Sequence, residues 1–314
     1  MATIVQFTRF GGPEVLEFVE APEPTPGSGE LVVAVKAAGV NPVDSKIRGR
    51  GRDTGPITTP RRVGADGAGI ITAVDAAVEG WSVGDEVIIH HASGTYASHI
   101  VVTPKQLTIK PAGVGWATAA ALGVPIGTAY QSIISLGVTA GTRLLIHGGS
   151  GAVGQAAIQF ALLRGARVFA TTGPANVDRV RDLGAEPILY GSGLLERLIA
   201  AAPDGIDLVF DAVGTDEAIE ASLALVDDPQ RIGTIVVGGR AAELGIKAWS
   251  GGNPIPLTPE ELALRSEAVA IAAGLIDRGE FQVQLGSSYP LAEAVAAHRE
   301  SEGGHPRGKI TLVP

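Results

Sequence analysis

The stretch Leu144–Gly154 reads LLIHGGSGAVG and places glycines as Gly149-x-Gly151-x-x-Gly154. An apolar β-type segment (Leu144, Leu145, Ile146) runs into these glycines, and a helical pattern follows them. That arrangement suits a dinucleotide. Gly149 permits a tight turn, Gly151 lets backbone approach a pyrophosphate, and Gly154 lets the new helix pack closely on the strand. The anion then rests on the free N–H groups at the helix N-terminus. In a chain with 43 glycines the spacing gains its meaning from the strand before it and the helix after it. Ser150 is not a hydrolase nucleophile, because its flanking glycines are at the wrong offsets for G-x-S-x-G.

The second strand of such a unit reports on the nucleotide. An NAD site calls for Asp or Glu roughly 20 residues past the glycines, to hold the ribose 2′-hydroxyl. Here that region is FATTGPAN, Phe169–Asn176, and the next carboxylate is Asp178 in the following helix. Thr171, Thr172 and Asn176 offer uncharged donors and Arg179 offers charge. A 2′-phosphate is tolerated there, so NADPH is the expected cofactor in preference to NADH.

Other reactive groups point away from competing chemistries. The chain has no Cys, which removes thiolate zinc ligands and a Cys nucleophile. His90 and His91 with His99 do not make a metal site, since adjacent strand residues face opposite ways. Arg48, Arg50, Arg52, Arg61 and Arg62 form a basic stretch without aromatic partners. With a net charge of −9 this fits a loop over a ligand cleft better than nucleic-acid binding. The N-terminus lacks the basic and apolar regions of a signal peptide, and no apolar run reaches the roughly 18 residues of a membrane span. A cytoplasmic protein acting on a small molecule is expected, without a nucleic-acid or membrane partner.

The elements that must position these groups fall into two regions. Residues 1 to about 122 alternate short β-type segments (Ala2–Phe7, Leu31–Ala38, Ile70–Val74, Val87–His90, Ile100–Thr103) with turns, the texture of a small barrel. From Ala117 onward Ala-rich helical patterns appear, and strand then alternates with helix through Val237. Repeated βα units call for a doubly wound parallel sheet covered by helices on both faces. Glu260–Arg278 reads as a long helix, and Tyr289–Pro314 as a short helix and a closing strand. The expected division is 1–122 with 275–314 as a catalytic domain and 123–274 as the nucleotide-binding domain. The ligand cleft would lie between them.

Several ordered motifs together resemble the zinc-free quinone oxidoreductases, the zeta-crystallin-like group of the medium-chain dehydrogenases/reductases. They are FGGPEVLE (Phe10–Glu17), AAGVNPVDSKIR (Ala37–Arg48), GADGAGII (Gly64–Ile71), GDEV (Gly84–Val87), GTAYQSI (Gly127–Ile133), HGGSGAVG (His147–Gly154), LGAEPILY (Leu183–Tyr190), FDAVG (Phe210–Gly214) and RGKITLVP (Arg307–Pro314). The resemblance implies an α/β chain: a GroES-like β-barrel catalytic domain beside a Rossmann domain, NADPH in the cleft, and a homodimer joined through the Rossmann sheet. It further implies Asn41 and Thr128 at the substrate and nicotinamide. It puts Ser150, Gly151, Ala152 and Val153 at the pyrophosphate, and Thr171, Thr172 and Tyr190 at the adenosine 2′-phosphate. Val213, Gly238 and Gly239 would lie along the cofactor.

One position departs from the pattern. Bacterial members of the group often carry Tyr where this chain has Lys46, and NPVDSK is similar to the enone and alkenal reductases of the same superfamily. A Lys46 ammonium could polarise a substrate carbonyl as its oxygen gains charge. Asp66 could pair with Lys46 or Arg48, or cap backbone N–H groups at a turn. The expected function is NADPH-dependent reduction of a quinone or similar conjugated carbonyl. Enone or 2-alkenal reduction, zinc-free alcohol oxidation, and a non-catalytic, crystallin-like NADPH-binding protein are the alternatives.

Overall fold

A computed structural model describes residues 1–49, 55–304 and 308–314. Arg50, Arg52 and Arg307 of the motifs above lie outside them. Among the described residues the strands in chain order are β1 Ala2–Phe7, β2 Glu17–Ala21, β3 Leu31–Gly39, β4 Arg61–Arg62, β5 Asp66–Val74, β6 Glu86–Ile89, β7 His99–Val102 and β8 Leu107–Ile109. They continue as β9 Arg143–His147, β10 Arg167–Thr172, β11 Glu186–Leu189, β12 Leu208–Asp211, β13 Ile232–Thr234, β14 Lys247–Ala248, β15 Leu285–Pro290 and β16 Lys309–Val313. The helices are α1 Pro42–Arg48, α2 Trp116–Ala120, α3 Gly123–Leu136, α4 Ala152–Leu163, α5 Val177–Asp182, α6 Leu194–Ala201, α7 Asp216–Leu225, α8 Ala241–Leu244, α9 Pro259–Asp277 and α10 Ala294–Glu302.

The chain divides into two compact units, Met1–Val124 with Val269–Pro314, and Pro125–Ala268. In the first, strands order as β15-β16-β3-β5-β6-β8, with β7 also on β3, and a small sheet β2-β1-β4 accompanies them. The tail re-enters this unit because β16 pairs antiparallel with β3, Leu312 opposite Ala38. Leu31, Val33 and Val35 of β3 alternate onto one face and join Ile71, Val87, Ile89, Leu312 and the α10 residues Ala294 and Ala297 in a common core.

The second unit is a parallel sheet ordered β11-β10-β9-β12-β13-β14. Leu145, Phe169, Val209 and Ile232 stand in register across four of its strands. They pack with Leu194 and Leu198 of α6 and Ile219 of α7. The strand order reverses direction between β9 and β12, the switch point outside which ligands bind in open α/β sheets.

Helix α1 was not legible as a helix in the expectations above. Pro42 opens it, where a missing N–H does no harm, and Asp44 reaches back to the Asn41 N–H at 2.8 Å. Its buried face is Asp44 and Arg48. Arg48 therefore belongs to no mobile basic loop. It is 2% exposed, donates to the Gly11 carbonyl and pairs with Glu302.

Candidate functional site

In the second unit, the chain leaves β9 through Gly148, whose φ of +85° favours glycine. The tight turn thus falls on Gly148, one residue before the expected Gly149. Gly149 meets another demand: a Cβ there would lie 2.6 Å from the Cβ of Ala170 in β10. Gly154 has the packing role expected of it, since a Cβ would overlap the Gly148 carbonyl oxygen. Gly151 is different again. A Cβ there would meet nothing nearer than that carbonyl at 3.5 Å, and Gly151 and Ala152 are exposed. Gly151 caps α4, whose first-turn N–H groups, including those of Ala152 and Val153, have no intrahelical partner. Gln155 steadies the loop by donating to the Ser150 carbonyl at 2.8 Å. An open backbone cradle with outward N–H groups fits a pyrophosphate.

Behind the cradle runs a buried hydrogen-bond chain that sequence reading missed. Ser222 donates to the Ala218 carbonyl at 2.6 Å, so its oxygen accepts from His147 Nε2 at 3.1 Å. His147 Nδ1 is then bare and accepts from the Thr171 hydroxyl at 3.3 Å, while Thr171 Oγ1 accepts the Gly148 N–H at 3.1 Å. This fixes a neutral imidazole protonated on Nε2. Burial pushes the His147 pKa from 6.5 down to about 4. The unfolded chain binds the extra proton first, so His147 contributes stability above pH 6.5 that is lost as pH falls toward 4. The contribution is on the order of 3 kcal/mol. His90 and His298, also pushed down by burial, act in the same direction, whereas Asp44, raised to about 7, opposes them. Comparison with His147→Asn isolates the one residue. The wild-type advantage in thermal midpoint should shrink between pH 6.5 and 4; a constant difference would mean that His147 does not titrate in this way.

This chain also accounts for two expected adenosine ligands. Thr171 and Thr172 are 3% and 1% exposed. Thr171 is committed to His147 and Gly148, and the Thr172 hydroxyl faces the Gly173 carbonyl at 3.4 Å. Of the ligands expected there, those that reach the surface are Asn176, half-buried, and Tyr190, 57% exposed beside Gly173. Arg179 of α5 donates to Gln155 Oε1 at 2.9 Å, which ties it to the glycine loop.

The ends of β12 and β13 meet the same loop. Val213 packs against Gly148, where a Cβ would come 2.6 Å from its Cγ1, and Gly214 packs against Val236 and Val237. Asp211, fully buried, organises both ends. It accepts the N–H groups of Val213 and Gly214 at 3.1 and 2.8 Å and the Thr234 hydroxyl at 2.6 Å. Gly238 is not open to a ligand on its Cβ side, because the Ser250 carbonyl fills that space. Its neighbour Gly239 is exposed and donates to the Gly251 carbonyl at 3.1 Å. Thr128 lies in this unit on α3 and is 6% exposed.

The first unit holds a buried polar cluster around Asn41, which is 1% exposed. The Asp44 N–H donates to the Asn41 main-chain carbonyl at 3.0 Å, and the Asn41 carboxamide takes other partners. Its Nδ2 donates to Asp66 Oδ2 at 2.8 Å, and its Oδ1 accepts from the Lys309 ammonium. Asp66 Oδ2 also accepts the Val124 N–H at 2.8 Å, at the start of α3, and lies 3.9 Å from Lys309 Nζ. Gly123 leaves room for the other oxygen of Asp66, which a Cβ would overlap. Asp66 thus pairs with neither Lys46 nor Arg48; its backbone-capping role is present at Val124. Tyr96 donates to Asp44 at 3.0 Å. Burial, with the charge of Asp66, raises the Asp44 carboxyl to about 7 despite the Asn41 N–H. Burial also raises Asp66 and lowers Lys309, each partly offset by the other.

Lys46 stands apart from this cluster. It is exposed and lies two positions from both Asp44 and Arg48, hence on the opposite side of α1. The lysine that reaches Asn41 is Lys309, which sequence reading passed over. The usable signal was a charged residue opening the otherwise uncharged strand KITLV. His90 is buried, facing Thr108 at 3.2 Å, and His91 holds a φ of +53° at an exposed position. Among the described residues no group of three or more His, Asp or Glu side chains is placed to hold a metal ion.

Comparison with known proteins places the chain. Residues 27–132 match the family profile of the alcohol dehydrogenase GroES-like domain, and residues 183–312 that of zinc-binding dehydrogenases. A quinone oxidoreductase of Pseudomonas aeruginosa is 31% identical over the full length of both chains. The solved quinone oxidoreductase of Coxiella burnetii matches with a TM-score of 0.85 at 26% identity, covering 100% of this chain and 99% of that one. The Escherichia coli quinone oxidoreductase, solved in complex with NADPH, matches with a TM-score of 0.85 at 27% identity. That match covers 99% of this chain and 100% of the other. The fold is accordingly a Rossmann unit with a GroES-like unit.

Proposed function

The chain belongs to the quinone oxidoreductase group of the medium-chain dehydrogenases/reductases, and on that premise we propose that it is an NADPH-dependent reductase of quinones or similar conjugated carbonyls that works without zinc. The observation that carries this reading is the open backbone cradle at Gly151 and Ala152, at the switch point of a sheet whose second strand ends without a carboxylate. The relative from Escherichia coli was solved with NADPH. The absence of Cys from the chain supports the zinc-free part.

The N–H groups of Ser150, Ala152 and Val153 would hold the pyrophosphate; the Gly151 N–H donates to the Gly148 carbonyl at 3.1 Å, and Gly151 would instead leave room for the phosphate to approach. Asn176, Tyr190 and Arg179 are surface groups suited to a 2′-phosphate, and Val213 and Gly239 would lie along the cofactor. When bound, NADPH supplies a hydride. The chain's own task is to orient the acceptor and donate to the oxygen that gains charge, through the Asn41 carboxamide and the Thr128 hydroxyl. A proton from solvent completes the two-electron reduction to the hydroquinone. The enone reading draws on the similarity of NPVDSK to enone reductases, with Lys46 one of three candidate donors beside Asn41 and Thr128; the exposed place of Lys46 on α1 removes support from that reading and favours the quinone. A homodimer and a cytoplasmic location accompany this reading. No described helix is long and apolar enough to cross a membrane.

Steady-state NADPH oxidation tests the proposal, with 1,4-benzoquinone, 9,10-phenanthrenequinone and a panel of enones and 2-alkenals as acceptors. Turnover should be fastest with a quinone, and NADPH should bind more tightly than NADH. Faster turnover of an enone would move the assignment to double-bond reduction, and tight NADPH binding without any turnover would make the protein a non-catalytic binder.

A further inference from the structure

We infer that Asp66 and Lys309 form a clamp that fixes the Asn41 carboxamide as a hydrogen-bond donor, making both of them positioning residues for the acceptor site. This inference rests on the reading of Asn41 as a substrate-facing group. Three segments distant in sequence build the clamp: Asn41 before α1, Asp66 opening β5 and Lys309 opening β16.

An Asn side chain has two orientations that exchange its donor and acceptor ends. With a carboxylate on one side and an ammonium on the other, only one orientation is satisfied. The carbonyl oxygen must face Lys309 and the NH2 group must face Asp66. The reverse would set a carbonyl against a carboxylate and N–H groups against an ammonium. The edge of the Asn41 amide lies alongside the two charges and bridges them. They stay 3.9 Å apart, longer than a hydrogen bond, and each bonds the amide.

The clamp has a chemical consequence. The carbonyl end of Asn41 is occupied and one N–H is bonded to Asp66, which leaves one N–H to offer. A group restricted to donation suits a carbonyl or quinone oxygen that gains negative charge, and it does not help an alcohol that must donate its own hydroxyl proton. The neighbouring ammonium withdraws electron density through the amide carbonyl and offsets the density that the Asp66 carboxylate returns through the other N–H. A lysine and an aspartate exposed at 4% and 0% are expensive to bury for packing alone. Orientation of Asn41 gives them a purpose.

The test uses the full chain with NADPH and 1,4-benzoquinone. Lys309→Gln should lower kcat about tenfold and leave the KM for NADPH within about twofold, and Asn41→Ala should do the same. In the Asn41→Ala background, Lys309→Gln should change kcat by less than about twofold, since its effect passes through the amide. Lys309→Arg, which keeps a cation, should recover most of kcat. Losses that multiply in the double variant, or an Arg variant as slow as the Gln variant, would overturn the clamp.

A measurement on the unaltered chain covers both a variant that fails to fold and a wild type that reduces no quinone. The Asn41 carboxamide NMR signals, assigned by their loss in Asn41→Ala, should show one proton exchanging with solvent at least about tenfold more slowly than those of exposed Asn side chains. Exchange as fast as the exposed ones refutes the clamp. Slow exchange without quinone turnover leaves the clamp standing and removes the reductase reading instead.

Discussion

Gly154→Val should weaken NADPH binding by about a hundredfold or more, a loss of roughly 2.7 kcal/mol. A side chain at this position would run into the Gly148 carbonyl oxygen, with the Gly148 carbonyl carbon at 2.8 Å and the Gly149 Cα at 2.9 Å. All three atoms are backbone, so no rotamer change relieves the overlap. Helix α4 would have to lift from the end of β9, carrying the Ala152 and Val153 N–H groups out of their arrangement around the loop. Overpacking of this kind costs about 1–3 kcal/mol or more in stability, so the thermal midpoint should fall as well. Gly151→Ala is the informative contrast. The space in front of Gly151 is open, and its φ of −73° suits any residue. The fold should therefore keep its midpoint, while the new methyl group intrudes where the pyrophosphate would approach. Fluorescence titration with NADPH and thermal melts separate the two effects. Wild-type affinity in Gly154→Val would exclude the cradle as the nucleotide site.

The parallel sheet was readable from sequence because five of its six strands, β9 to β13, carry a local signature. Leu144–His147 and Leu208–Asp211 are apolar runs that end at glycine-containing turns, and Ala-rich helical patterns separate them. Burial on both faces makes such strands continuous in hydropathy. Two very short strands were not readable. Strands β14 and β8 span two and three residues, and tertiary pairing with β13 and β6 defines them. Helix α1 was missed for a different reason. Its two buried positions are Asp44 and Arg48, so an apolar period does not mark it. The Asn41-Pro42-x-Asp44 start would have revealed it.

The site divides along the same line. The glycine spacing exposed the cradle, since a backbone approach to phosphate leaves its requirement in residue type. It misassigned the turn by one position, because Gly148 and Gly149 are adjacent glycines that sequence cannot tell apart. Side-chain partnerships fared worse. Thr171 and Thr172 read as surface donors at a strand end, yet they point inward, and the partner of Thr171 is His147, 24 residues earlier. Lys46 drew attention through the motif NPVDSK, which sets it five residues from Asn41. Lys309 is the lysine at Asn41 because β16 returns to β3, a contact across 268 residues. Proximity along the chain misleads when a tail completes the first unit.

Asp211→Ala should be among the most destabilising single changes in the second unit. The carboxylate is fully buried and collects two backbone N–H groups and the Thr234 hydroxyl. Thr234 Oγ1 in turn accepts the N–H groups of Val236 and Val237 at 3.0 and 3.3 Å. Removing the acceptor strands three donors, at about 1 kcal/mol or more each, so a loss of about 3 kcal/mol or more is expected. The damage should extend to nucleotide affinity, because these bonds hold Val213 against Gly148 and Gly214 against Val236. A rise of about tenfold in the NADPH dissociation constant is expected at a temperature where the variant remains folded. Asp211→Asn should recover only part of the stability. Its oxygen can still take the Val213 and Gly214 N–H groups, but its NH2 would then face a Thr234 oxygen that already accepts two. Thr234→Val should fall between wild type and Asp211→Ala, since it strands two donors, the Val236 and Val237 N–H groups, against three, and leaves the Asp211 turn intact. Thermal melts on the three variants check the order. If Asp211→Ala melts at the wild-type temperature, the carboxylate does not hold the ends of β12 and β13 together.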